Sequence, residues 1–149
     1  MAQYSEDYQR CYDIDWFFKY KDYCFHVASN GGKIPDKIDE SENTELQRFI
    51  EKIIMKNENK EEVDIVQNPR HLNYSTFIDF ASIGFISLDR IGDSFESQYY
   101  KVIAKPRGEK LPPKNIVDKL PEIRIDTDNR INTDNIHIYD IEGHPIVLE

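Results

Sequence analysis

A chain of 149 residues, 39% hydrophobic and 32% charged, is sized for one domain with its own core and a polar exterior. Its formal net charge of −9 opposes docking on nucleic-acid phosphates or anionic lipid, both of which require a surplus of Lys and Arg. There is no run of about 18 apolar residues, so no membrane span is expected.

Residues 1–10 are polar and are read as a partly disordered tail. They lack the basic start and apolar stretch of a secretory signal, so a cytoplasmic, reducing setting is expected. The two cysteines, Cys11 and Cys24, suit that setting as free thiols. Tyr4, Tyr8 and Tyr12 recur every four residues; on a helix they would form one stripe, docked on the body or meeting a partner.

The stretch from Asp13 to Gly32 holds the only tryptophan and a dense aromatic set. A two-residue loop at Lys21-Asp22 places Tyr20 opposite Tyr23 and Phe18 opposite Phe25. One face then carries Ile14, Trp16, Phe18 and Tyr20, answered by Tyr23, Phe25 and Val27. A one-residue slip would scatter these side chains over both faces, so the pattern selects its own register. Cross-strand pairs of this kind contribute roughly 0.2–1 kcal/mol each. The other face carries Asp15, Phe17 and Lys19, answered by Cys24, His26 and Ala28. Lys-Asp is not the Asn-Gly type that such loops favour.

After a turn at Ser29-Asn30-Gly31-Gly32 and an acidic connection, a helix is predicted from about Thr44 to Lys56, with Thr44 and Gln47 at capping-box spacing. Leu46, Phe49, Ile50, Ile53 and Ile54 make its apolar stripe, expected to lie on the aromatic hairpin face. Val63, Ile65 and Val66 suggest a strand closed by Asn68-Pro69. Tyr74 to Ile83 reads as a second helix with Gly84 at its end, although Phe85 to Leu88 also suits a strand. Gln98 to Ala104 alternates as a strand that Pro106 stops.

From Pro106 to Asn135 prolines interrupt the chain, leaving room for one helical turn around Lys114 to Leu120 and an irregular or strand-like RIDTDN-RINTDN repeat. The end reads as a hairpin around Ile141-Glu142-Gly143 that aligns Ile138 with Ile146 and, through Pro145, lies at a sheet edge. The expected fold is α+β: one domain over residues 1–149, with a mostly antiparallel sheet, an aromatic-rich N-terminal β-hairpin, about two packed helices and a C-terminal β-hairpin. Residues 106–135 are its Pro-rich, polar and irregular part.

The sharpest chemical constellation is Asp15, Cys24 and His26 on the second hairpin face: a thiol, an imidazole and a carboxylate could serve as nucleophile, base and orienter. The plainer reading is a sheet face on which Asp15 satisfies His26. No metal is expected, since His26, His71, His137 and His144 lack zinc spacing. In the terminal hairpin His144 faces Asp140, which suits a solvated turn. DTDNRINTDN fails the calcium-loop pattern, with Arg130 at the fifth position, Ile131 where Gly is required and His137 at the twelfth. No phosphate loop or hydrolase elbow is present, and no cofactor is expected.

Binding is preferred to catalysis. Size and charge suit an inhibitor- or immunity-type module that associates with a basic protein partner. The candidate contacts are Asp36, Asp39, Glu40 and Glu42, and the cluster Glu58, Glu61, Glu62 and Asp64. The alternative is a small enzyme or ligand-binding protein using the Asp15, Cys24 and His26 face.

Overall fold

A computed structural model describes residues 2–58, 60, 62–66, 75–90, 94–96, 100–126, 137–139 and 145–147, those after Ile123 as backbone only. In order these form α1 (Glu6–Cys11), β1 (Asp15–Tyr20), β2 (Tyr23–Ala28), α2 (Glu40–Lys56), β3 (Val63–Ile65) and α3 (Ser75–Ser82). Then follow β4 (Ile86–Arg90), β5 (Tyr100–Pro106), α4 (Lys114–Val117), β6 (Arg124–Asp126), β7 (His137–Tyr139) and β8 (Pro145–Val147). The fold is α+β. Its main sheet has the order β1-β2-β4-β5-β3 and is antiparallel except between β2 and β4.

The hairpin takes the register that its apolar alternation dictates, with Tyr20 opposite Tyr23, Phe18 opposite Phe25 and Phe17 opposite His26. Lys21 supplies the left-handed turn conformation at φ 53, without the glycine such turns favour. Both faces are buried. Trp16, Phe18, Phe25 and Val27 pack with Leu88, Tyr100 and Val102 of the neighbouring strands, under Tyr4, Ile14, Ile34, Ile38 and Ile123. Phe17 and Cys24 pack on the opposite side with Leu46, Ile50 and Ile54 of α2, Phe80 of α3, and Ile116 and Leu120.

The α2 stripe therefore covers the second hairpin face, not the aromatic one expected from the sequence. Two adjacent parallel strands cannot be joined by a tight turn. The chain between β2 and β4 travels through α2, β3 and α3, and both helices pack on the Phe17 side. Loop residues cover the aromatic side instead. Burying Trp16, Phe17, Phe18 and Phe25 completely is worth about 1.5–3 kcal/mol per large apolar side chain.

Two boundaries differ from the sequence reading, and one left open is settled. Residues before the hairpin are not a loose tail: Ser5 caps α1, accepting from the Tyr8 amide at 3.2 Å, and Tyr4 and Gln9 are buried. The Gln9 amide is satisfied at both ends, donating to the Tyr4 carbonyl at 2.8 Å and accepting from the Ile34 amide at 2.7 Å. The α2 helix starts at Glu40, capped by Asp39, whose carboxylate accepts from the Glu42 amide at 2.9 Å. Thr44 lies inside the helix and donates its hydroxyl to the Glu40 carbonyl at 2.8 Å. After α3, Ile86–Arg90 is a strand, the open alternative in that stretch.

Gly84 ends α3 at φ 118, where bonds from Gly84 to Ala81 (3.1 Å) and from Phe85 to Phe80 (3.2 Å) form a Schellman closure. The described part of the Pro-rich segment carries the short helical turn and a strand, both expected there. These are α4 and β6, and the segment buries Ile116, Leu120 and Ile123. Lys19 of β1 donates its backbone N–H to Pro121 (2.9 Å) and accepts from Ile123 (3.1 Å), so this segment covers part of the β1 edge. Pro121 itself has no N–H to continue the ladder toward Phe17. The terminal strands form a second sheet, β6-β7-β8, with Ile138 opposite Ile146 and β8 at its edge. The loop at residues 141–143 lies outside the described residues.

Candidate functional site

The hairpin places Asp15 diagonal to His26, and the side chains meet: His26 Nε2 lies 2.7 Å from Asp15 Oδ1. His26 is fully buried, its ring stacked on Phe80 at 4.0 Å between centroids. Its second nitrogen, Nδ1, lies 3.1 Å from Ser87 Oγ, which donates to the Phe77 carbonyl at 3.1 Å. The other Asp15 oxygen accepts from Gln47 Nε2 of α2 at 3.4 Å, and the Asp15 carbonyl accepts from Asn43 Nδ2 at 2.9 Å. One polar network thus ties β1, β2, β4, α2 and α3 together. Asp15, His26 and Ser87 share the connectivity of a hydrolytic triad. Yet Ser87 and His26 are wholly buried, and neither lines any of the described hollows. The arrangement satisfies buried polar atoms and joins elements; it offers no access to a substrate.

Cys24 is also buried, with its thiol pushed up to about 11 by that burial while the Lys19 ammonium draws it down. No hydrogen bond joins Cys24 to His26 among the described residues, and both imidazole nitrogens are engaged elsewhere. The face therefore brings Asp15 and His26 together and leaves Cys24 apart, protonated at neutral pH. Ser87 escaped the sequence reading because it reaches His26 only through the parallel pairing of β2 and β4. No local signal marks that pairing.

Of the acidic candidates, Asp36, Glu40 and Glu42 are exposed around the start of α2, and Glu58 and Glu62 are exposed beyond its other end. None of these five carboxylates forms an ion pair among the described residues. Asp39 is turned inward, accepting from the Ala2 amide at 2.7 Å as well as from Glu42; these backbone donors hold its carboxyl below its ordinary 3.8. Asp64 pairs with Arg107 Nε at 3.0 Å. Glu61 lies outside the described residues, as do His71, Asp140, His144 and residues 127–136 of the polar repeat. The two acidic groups stand at opposite ends of α2, whose 17 residues span about 25 Å.

Two hollows were not foreseen. One, of about 580 Å3, lies along α2 with Glu42, Glu45, Phe49 and Lys119 in its walls. The other, of about 550 Å3, lies where β2 and β4 begin and β5 ends. Among the described residues no group of His, Cys, Asp and Glu could hold a metal ion, and no helix is long and apolar enough to cross a membrane. The chain matches no protein-family model, no curated protein and no solved structure.

Proposed function

We propose that the protein works by association with a basic protein partner, as an inhibitor- or immunity-type binding module does. The observation that carries this reading is the group Asp36, Glu40 and Glu42: three exposed carboxylates, without ion pairs among the described residues, around the start of α2 on a chain of net charge −9. Unneutralised carboxylates on a regular element attract a cationic surface and accelerate its encounter. Asp39 takes no part as a contact, because its oxygens hold the helix cap. Glu58 and Glu62 form a second, separate group.

Affinity capture at low and at high salt, comparing the native chain with a D36N/E40Q/E42Q variant, tests the reading. The expected result is one stoichiometric basic partner that is retained at low salt, released at high salt and lost by the variant. Circular dichroism checks that α2 survives, since acidic residues in a first turn also favour the helix dipole. A partner held equally by variant and native chain removes these carboxylates from the interface. Reproducible recovery of no partner removes the association reading.

A further inference from the structure

The hollow of about 550 Å3 at the end of the main sheet has a built chemical character. Ile86 and Val102 line it from the sheet face that buries Phe25 and Leu88. Tyr23 and Leu111, two of the large apolar side chains left substantially exposed, line it from β2 and from the segment after β5. Its volume falls in the range of about 300–1,000 Å3 typical of small-molecule sites.

A β-bulge decides which charge faces this hollow. Ser87 pairs with Ala104 and Leu88 with Val102, so Ile103 is an extra residue in β5. Strict alternation from Val102 would put Ala104 on the aromatic face and Lys105 on the helix-covered one. The bulge reverses this: Ala104 joins Ile103, Val63 and Phe77 in the core, and Lys105 falls on the Val102 face and lines the hollow. Lys105 is half-buried and has no hydrogen bond or ion pair among the described residues. Its ladder neighbour Asp64 is held by Arg107 at 3.0 Å. Lys110, also in the lining, is spent on the Ser82 carbonyl at 2.7 Å. The other carboxylates there, Asp22 and Glu109, are exposed on loops.

A half-buried, uncommitted ammonium beside apolar walls is matched by one negative charge on an apolar body. We propose that this hollow binds a small aromatic or aliphatic carboxylate, its carboxylate on Lys105 and its body against Tyr23, Ile86 and Val102. The inference is independent of the acidic surface near α2. A peptide ending in Phe offers the same carboxylate-on-apolar chemistry; the free small molecule is the assigned occupant.

The test is a set of titrations of the 15N-labelled full chain followed by amide NMR. The probes are 4-phenylbutyrate, its neutral analogue 4-phenylbutanol, the cation 4-phenylbutylamine and the peptide N-acetyl-Gly-Gly-Phe. Saturable shifts at Tyr23, Ile86, Lys105 and Gly108 are expected with phenylbutyrate. The alcohol and the amine should bind about tenfold or more weakly, as loss of a charge-assisted contact implies. K105Q should reduce the acid to the affinity of the alcohol and leave the alcohol unchanged. Absence of saturable shifts at these amides, equal affinity of acid and alcohol, or tightest binding by the amine overturns the proposal. Tighter binding by the peptide overturns the small-molecule assignment. Should K105Q lose the native spectrum, the ranking of the probes on the native chain still decides.

Discussion

Cys11 and Cys24 place the same functional group in two environments. Cys11 is exposed, whereas burial raises Cys24 to about 11. At pH 8 the Cys24 thiolate is then roughly one part in a thousand, and its access is closed as well. Treatment of the native protein with iodoacetamide at pH 8 should therefore modify Cys11 alone, and C11S should remove the fast reaction entirely. Labelling of Cys24 at a comparable rate before unfolding would contradict the burial described here. The Asp15–His26 contact was legible in the sequence, because period-two alternation and a two-residue loop leave one register that gathers the aromatics. The inertness of Cys24 was not, since a strand's alternation tells which face a residue takes and nothing about what covers it. The bulge at Ile103 was equally hidden, and with it the position of Lys105.

At the scale of elements, two termini carry more than their length suggests. A methyl group added to Gly84 would lie 2.3 Å from the Leu111 carbonyl carbon and 2.4 Å from the Pro112 nitrogen, on a backbone at φ 118. Both neighbours are main chain and cannot swing aside. Gly84→Ala should cost more than about 1 kcal/mol in denaturant unfolding; a neutral result would show that the α3–Pro112 approach is looser than described. The Asp39 cap has a pH signature. Its carboxyl is held below 3.8 by backbone donors, so its charge stabilises the fold above that value. The contribution is lost as pH falls through the lower folded value. Asn preserves the capping oxygen without the charge, so D39N should be less stable than the native chain near pH 7, and the gap should close on acidification. A gap that persists unchanged to the lowest pH would exclude the charge as its source. The α2 stripe was readable from its 3.6-residue period. Its start was not: Thr44 and Gln47 have the right spacing by coincidence, while Asp39 is fixed partly by Ala2, distant in sequence.

For the molecule as a whole, the class of fold followed from local pattern and the layering did not. Hairpins and helical stripes declare themselves within about ten residues, and among the described residues the aromatic hairpin and the α2 and α3 stripes lie close to where they are expected. Which layer covers which face depends on the pairing of β2 with β4, a contact no local pattern encodes. That same pairing bears on how the chain is made. The hairpin emerges from synthesis well before β4, the strand that flanks it, which lies roughly 60 residues later, about 3–12 s at ordinary elongation rates. During that interval Trp16, Phe17, Phe18 and Phe25 form a nascent ribbon that is apolar on both sides, with α2 arriving first to shield one of them. The aromatic side waits for Leu88, Tyr100 and Val102, and is the surface on which ribosome-associated chaperones and misassembly compete.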